Sequence, residues 1–350
     1  MKIVFSGGGT LGSVSPLIAI FQEFKKQRPD AEFLWLATRN GPEQNLITSY
    51  GIPLKKIFAG KFRRYFSWEN FFNPIFVILG FFQAFFILFK FKPEAVIAAG
   101  GFIAVPVAFA AWLLKKPVFI HQQDIVAGLA NRLMAPWAKK ITVTFEKSLK
   151  DFSSQKTVLT GNPVRNDLVA LDRKTSCEFF KFDPNLPVVL IIGGSTGALN
   201  LNNLVLASIS QLVEFCQVIH LTGGKISQQF KHPRYQAFDF LTQDLKQVYA
   251  ACDLVVSRGG MSVLTELAYL KKSAIIIPIS QSHQENNAIE FFRNNAALFL
   301  AEKNLTPQNF ISAVKEVIGN QSLLSNLSRN IGKMMPTDAA TNIVRLILSL

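Results

Sequence analysis

Ile3-Val4-Phe5-Ser6-Gly7-Gly8-Gly9-Thr10-Leu11-Gly12-Ser13-Val14-Ser15-Pro16 is the stretch that decides the fold of this chain. A short apolar run ends in clustered glycines, and Pro16 then opens a helical pattern that lasts to Lys26. This reads as strand, glycine turn, helix. The figure returns three times. Residues 95–99 close in Gly100-Gly101 before a helix over about 106–114. Residues 187–192 close in Gly193-Gly194-Ser195-Thr196-Gly197 before a helix from Leu199. Residues 253–256 close in Ser257-Arg258-Gly259-Gly260 before a helix over 261–270. Further strands are expected over 32–37, 118–120, 141–144, 156–159, 217–221 and 274–277.

Strands alternating with helices imply parallel sheets covered on both faces. The expected fold class is therefore α/β, with two Rossmann-like domains whose parallel sheets face a cleft. The 350 residues fit two domains at roughly 150 each. The boundary is expected at Gly161-Asn162-Pro163, giving domains 1–163 and 164–336, with a last helix over 337–350 packing back on the first. Ligands of open parallel sheets sit beyond the carboxyl ends of the strands, where all four glycine turns fall.

Composition narrows the class. Charged residues are 17% and hydrophobic residues 49%, which excludes a disordered chain. Cys177, Cys216 and Cys252 are scattered and cannot all pair, which points to a reducing cytoplasm rather than a disulfide scaffold. Met1-Lys2 leads straight into the first strand, unlike a signal peptide. The net charge of +14 and 32 Phe suggest contact with an acidic, greasy surface, an anionic membrane being the candidate. An AT-rich genome would also raise Phe, Lys, Ile and Asn together. No finger, homeodomain or RNA-binding signature is present, so nucleic acid is not expected as a partner.

Residues 70–89 carry no charge and could span a bilayer by length. Pro74, Asn73, Gly80 and Gln83 dilute the run, and the strand–helix series resumes at Lys92-Pro93. Three readings stay open: a span, a buried core helix, and a helix whose outer face dips into the membrane. In the third, Lys55, Lys56, Lys61, Arg63 and Arg64 would meet anionic head groups.

A glycine turn opening a helix aims backbone N–H groups at an anion. Gly7, Gly9 and Gly12 satisfy a dinucleotide pattern, but the second strand ends in Ala37-Thr38-Arg39-Asn40, without the acid that would hold a ribose. Thr222-Gly223-Gly224-Lys225 lacks the upstream Gly of a P-loop, since Ile219 stands there. Glu266, on a helix after a glycine turn, could take a ribose diol or be merely an exposed helical Glu. No Asp-x-Asp pair and no Cys/His cluster occurs, so neither a metal nor a cofactor is expected.

Seven segments in order now carry a resemblance. They are Gly8-Gly9-Thr10-Leu11-Gly12-Ser13, Ala99-Gly100-Gly101-Phe102, His121-Gln122-Gln123-Asp124, Gly161-Asn162-Pro163-Val164-Arg165, Gly193 to Ala198, Ser257-Arg258-Gly259-Gly260 through Glu266, and Gln284 with Asn287-Ala288. The chain resembles the MurG family, the peripheral-membrane N-acetylglucosaminyltransferases that make lipid II for peptidoglycan, from Lys2 to the C-terminal helix. The resemblance implies the two-domain GT-B fold. It also implies an inverting transfer of N-acetylglucosamine from UDP-N-acetylglucosamine to the C4 hydroxyl of lipid I at the cytoplasmic membrane face. Partners among cell-wall or division-complex proteins go with that role.

The resemblance also assigns residues. Ser195 and Arg165 would approach the donor diphosphate, with the amides of Met261 and Ser262. Glu266 would hold the ribose, Thr242 would face uracil, and Gln284 and Asn287 would bind the sugar hydroxyls. Thr10, Leu11 and Gly12 would lie against the transferred sugar, and Ser13, Gly100 and Gly101 in the acceptor loops. Two departures stand out: Leu11 and Ser13 replace a Gly and a His of the family loop, and His121-Gln122-Gln123-Asp124 replaces His-Glu-Gln-Asn. The base must then come from elsewhere, with Asp124 first and His121 second; Asp124 could instead be a sugar contact. A different GT-B glycolipid enzyme, or a UDP-sugar-binding paralogue with little turnover, would keep the same donor half.

Overall fold

The computed structural model describes residues 1–60, 69–169, 171–194, 198–224, 230–241 and 244–349, with side chains of 69–73 left aside. The chain divides into two compact units. One comprises Met1–Arg165 and Pro336–Leu350, the other Asn166–Met335.

The first unit is a seven-stranded sheet. Its strands are β1 (Lys2–Ser6), β2 (Glu32–Thr38), β3 (Leu54–Ile57), β4 (Ala95–Ala98), β5 (Val118–Gln122), β6 (Ala138–Val143) and β7 (Thr157–Leu159). They lie in the order β3-β2-β1-β4-β5-β6-β7, and every pairing is parallel. The central strands are buried on both faces, as continuous runs such as Ile3-Val4-Phe5 require. One face packs on Leu17, Ile20 and Phe24 of the helix Ser15–Gln27 and on Ile343, Val344 and Ile347 of the helix Ala339–Leu348. The other packs on the helices Glu69–Phe91 and Ala104–Leu113.

The second unit repeats the plan with six parallel strands. They are β8 (Val188–Ile192), β9 (Gln217–Leu221), β10 (Tyr235–Phe238), β11 (Leu254–Ser257), β12 (Ser273–Ile276) and β13 (Leu298–Phe299), in the order β10-β9-β8-β11-β12-β13. Both orders are doubly wound, so each unit has a reversal point beside its first strand, at β1/β4 and at β8/β11. Cys177, Cys216 and Cys252 are all buried and free, and burial pushes the Cys216 thiol up to about 12.

The helix Glu69–Phe91 corrects the core-helix reading of the apolar run. It continues through Pro74, and Gly80 lies so close to Phe58 that a Cβ there would overlap the Phe58 carbonyl. Ala84 and Leu88 face the core, whereas Phe82, Phe86 and Phe89 are 51, 66 and 62% exposed. By length and composition the window Pro74–Phe91 could cross a membrane. Lys61, Arg63 and Arg64 lie outside the described residues.

Candidate active site

In the first unit two glycine turns lie back to back beyond β1 and β4. Gly9 has φ +83° and Gly101 φ +85°. A Cβ on Gly101 would sit 3.0 Å from the Gly8 carbonyl and 3.3 Å from Ser13 Oγ. The helices that follow, Ser15–Gln27 and Ala104–Leu113, begin without a side-chain cap and without an acid in the first turn. Such helix starts favour an anion through their amides and dipoles. Ser13 Oγ is buried with no hydrogen-bond partner among the described residues. Thr10 is exposed, and Leu11 and Gly12 are half-buried.

The end of β5 enters this region. His121 is buried, with Nδ1 2.9 Å from Thr142 Oγ1 and Nε2 2.7 Å from Asn162 Oδ1. The neutral ring protonated on Nε2 satisfies both neighbours, donating to Asn162 and accepting from the Thr142 hydroxyl. Burial lowers the His121 pKa to about 4. His121, the second candidate for base, is thus turned into the fold with both nitrogens engaged.

Gln122 does structural work in place of the family's Glu. Its Nε2 donates to the carbonyls of Asp124 (2.7 Å) and Val126 (3.1 Å), while its Oε1 accepts from Asn131 Nδ2 at 2.6 Å. Ser148 Oγ adds a bond to the Ile125 carbonyl at 2.8 Å. The loop carrying Asp124 is held by these contacts, and Asp124 itself is half-buried. Gln123 Oε1 is buried without a partner among the described residues, and its Nε2 would lie 4.0 Å from a Cβ on Gly12, beyond Thr10 Oγ1 at 3.6 Å. Arg165 is buried in this unit, its Nη1 donating to the Tyr50 hydroxyl at 3.1 Å.

In the second unit the turn after β11 is the best-formed feature. The helix Met261–Leu270 starts at Gly260 without a side-chain cap or an acid in its first turn. Gly259 packs so tightly on Gln284 that a Cβ would overlap its carbonyl. Asn287 Nδ2 donates to the Gly259 carbonyl at 3.0 Å. Asn287 is fully buried, so its side chain shapes the turn. Gln284 Oε1 accepts from the Ile279 N–H at 3.2 Å.

Glu266 is 6% exposed and its Oε2 accepts from the Tyr249 hydroxyl at 2.7 Å, which removes the reading as an exposed helical Glu. Met261 is buried, leaving its backbone to act, and Ser262 is half-buried. Arg258 is fixed by Glu302 at 2.6 Å and by the Ile277 carbonyl at 2.9 Å. The structure thus gathers Gly259, Gly260, Met261, Ser262, Gln284 and Asn287 around one turn, with Glu266 on the following helix face. Ser195 and Thr242 lie outside the described residues. Among the described residues no group of three or more His, Cys, Asp or Glu side chains could hold a metal.

A second buried imidazole stands behind the turn after β9. His220 contacts the Tyr235 hydroxyl at 3.0 Å and Asn202 Oδ1 at 3.1 Å, and burial lowers its pKa to about 4. Both histidines fold neutral and titrate near 6.5 when unfolded, so the unfolded chain binds more protons between these values. Stability is full above pH 6.5 and falls as pH drops toward 4. We expect about 1 kcal/mol lost per histidine by pH 5.5 and about 3 kcal/mol by pH 4. Melting curves between pH 7.5 and 5 measure this, and His121→Gln should flatten the slope; an unchanged slope would exclude His121 from the acid transition.

Sequence reasoning missed Glu43, Asn131 and Tyr249, which are tied by hydrogen bonds to predicted positions. Each is a single polar residue in an unremarkable stretch, and only burial marks it.

The glycosyltransferase family 28 N-terminal domain matches residues 3–143, and its C-terminal domain matches residues 188–343. A protein of Lachnoclostridium phytofermentans is 37% identical over 99% of this chain and 98% of its own length. It is named UDP-N-acetylglucosamine--N-acetylmuramyl-(pentapeptide) pyrophosphoryl-undecaprenol N-acetylglucosamine transferase. A protein of Clostridium kluyveri with the same name is 36% identical over 90% of this chain and 91% of its length. Among solved structures, MurG of Acinetobacter baumannii superposes with a TM-score of 0.74 at 24% identity, covering 100% of this chain and 99% of that one. A UDP-GlcNAc 2-epimerase of Neisseria meningitidis bound to UDP-GlcNAc reaches 0.73 at 14% identity, over 100% of both chains, so the fold is shared well beyond one activity. With both of its domains matched and relatives aligned nearly end to end, the chain belongs to glycosyltransferase family 28 and, within it, to the MurG family.

Proposed function

We propose that the chain transfers N-acetylglucosamine from UDP-N-acetylglucosamine to the C4 hydroxyl of lipid I, giving lipid II and UDP with inversion at the anomeric carbon. The observation that carries this reading is the near end-to-end similarity to relatives named for this transfer. The second unit is the donor domain in this reading. Amides at Gly260, Met261 and Ser262 face the diphosphate, and Glu266 takes the ribose diol. Ser195 completes the diphosphate contacts of this unit, Thr242 faces uracil and Gln284 the sugar, while Arg165 is held in the first unit by Tyr50. Asn287 acts through the Gly259 turn. The first unit takes the acceptor, with Thr10, Leu11, Gly12, Ser13, Gly100 and Gly101 around its phosphates and the transferred sugar.

The chemistry is one displacement. The acceptor oxygen bonds to the anomeric carbon as the bond to UDP breaks. The hydroxyl proton passes to Asp124, and the charge growing on UDP is met by helix amides and a cation. His121 orients the Asp124 loop through Asn162 and Thr142. Purified protein incubated with labelled UDP-N-acetylglucosamine and lipid I tests the reading. Labelled lipid II supports it. Transfer only to another glycolipid, or UDP binding without transfer, overturns it in favour of the corresponding alternative.

Lipid I would be met at the cytoplasmic face of the membrane, with the protein peripheral. The exposed apolar face of the helix Glu69–Phe91 supports this, as do the exposed Lys55 and Lys56. A cavity of about 610 Å³ lined by Arg132, Lys150, Asp151 and Lys156 adds a net positive rim. We expect Phe82→Ser/Phe86→Ser/Phe89→Ser to lower partitioning onto anionic vesicles at least about tenfold, since each exposed Phe buried in lipid contributes roughly 1–2 kcal/mol. Vesicle sedimentation reads this out; equal sedimentation of variant and parent would remove the helix from the membrane contact.

A further inference from the structure

Glu43 is a buried carboxylate that no step above uses. It opens the short helix Glu43–Ser49 and is fully shielded from solvent. Its Oε2 accepts the Gly9 N–H at 3.1 Å. Its Oε1 accepts the Thr38 N–H at 2.9 Å and also the Thr38 hydroxyl. A Cβ on Gly8 or on Gly41 would overlap this carboxylate. The two glycines therefore make room for Glu43, and Glu43 fills what they vacate. On the other side of the turn, Trp35 Nε1 donates to the Gly7 carbonyl at 2.9 Å. The turn beyond β1 is thus anchored at its amide and at its carbonyl, by side chains from the start of the helix after β2 and from the middle of β2.

We propose that Glu43 is a positioning residue for the transfer: by drawing the Gly9 N–H inward it sets the glycine turn in the shape that receives the acceptor. The proposal rests on the assignment of that turn to the acceptor. The demand for a carboxylate follows from the donors. Three N–H or O–H groups point at Glu43, so both oxygens must accept. An amide supplies one acceptor and one donor group. Placing its oxygen at Thr38 keeps two bonds and loses one, whereas the reverse keeps one and loses two. Gln at position 43 therefore turns its nitrogen to Gly9 and releases the loop selectively, with the Thr38 side of the packing kept.

Three measurements on the full chain test this: acceptor KM, UDP affinity by calorimetry, and the Gly9 amide proton in glycine-labelled protein. In Glu43→Gln we expect the Gly9 amide to lose its carboxylate-bonded downfield shift. Acceptor KM should rise roughly tenfold or more, because small misplacements of binding groups are costly. UDP affinity, assigned to the glycine turn and Glu266 of the other unit, should stay within about twofold. Thr38→Val removes one donor to the same carboxylate without touching the loop, and should leave acceptor KM within about twofold even where it lowers the melting temperature. An unmoved Gly9 amide overturns the anchoring. Equal losses in acceptor KM and in UDP affinity in Glu43→Gln, or equal effects in both variants, overturn positioning in favour of general support of the fold. A parent protein that fails to glycosylate lipid I refutes the functional reading on its own, before any variant is compared.

Discussion

Asp124→Asn lowers kcat about 10²- to 10⁴-fold while UDP affinity stays at the parent value, the range expected when a general base is lost. Around the turns beyond β1 and β5 the other candidates for base drop out one by one. Ser13 replaces the family's His, and a hydroxyl does not accept a proton near neutral pH. Gln122 replaces the family's Glu, and its amide is committed to the carbonyls of Asp124 and Val126. His121 has both nitrogens engaged and remains neutral through burial. Asp124 is the carboxylate left on that loop. Asn restores the residue common in the family while removing the charge, so the loop keeps its shape. Single-turnover rates with saturating donor separate chemistry from binding. Retained or improved kcat would sink the base role and leave Asp124 as a sugar contact.

Glu266→Ala weakens UDP binding by about 1–3 kcal/mol, roughly 5- to 150-fold, because a buried hydrogen-bonding acceptor is lost. The side chain is held by the Tyr249 hydroxyl, which leaves acceptor capacity on a carboxylate that can take up to four hydrogen bonds. Removing it also strands a buried Tyr hydroxyl, so part of the cost appears as lost stability. Tyr249→Phe isolates that part: the carboxylate remains and UDP affinity should fall far less than in Glu266→Ala. Calorimetric titration with UDP, alongside melting curves, apportions the two. Unchanged UDP affinity in Glu266→Ala removes the residue from the donor site.

The central strands were legible because burial on both faces forces continuous apolar runs. β9 and the helix Met261–Leu270 fall where the sequence places them. Of the four edge strands, β7 falls at its expected place over 156–159 and the other three were not legible. β3 reads Leu-Lys-Lys-Ile with both lysines exposed, β10 reads Tyr-Gln-Ala-Phe with only Tyr235 buried, and β13 has two residues. An edge strand needs only partial burial, so no apolar run announces it. β6 starts three residues before its expected place: Ala138 and Lys140 pair with Val118 and Phe119 across a register shift, and the two lysines break any apolar run. In the site, glycine turns were readable from composition, since positive φ demands glycine at Gly9, Gly100, Gly101 and Gly194. The roles of Glu43 and Asn287 were not, because each bonds to a backbone group of a distant turn, and Gln122 is fixed by Asn131 from the following helix. Nothing in local spacing encodes such a partner.

The first unit is made of two pieces of chain, and the helix Ala339–Leu348 supplies Ile343, Val344 and Ile347 to cover Leu17 and Phe24. During synthesis the usual order, in which the earlier-made domain closes first, is therefore reversed. Residues 166–335 leave the ribosome as an uninterrupted unit and can close while the first sheet still lacks one side of its cover. Until residues 339–348 emerge, Leu17 and Phe24 stay open to chaperones and to other nascent chains. A stalled or prematurely stopped message would thus release a product whose second unit is folded and whose first is not.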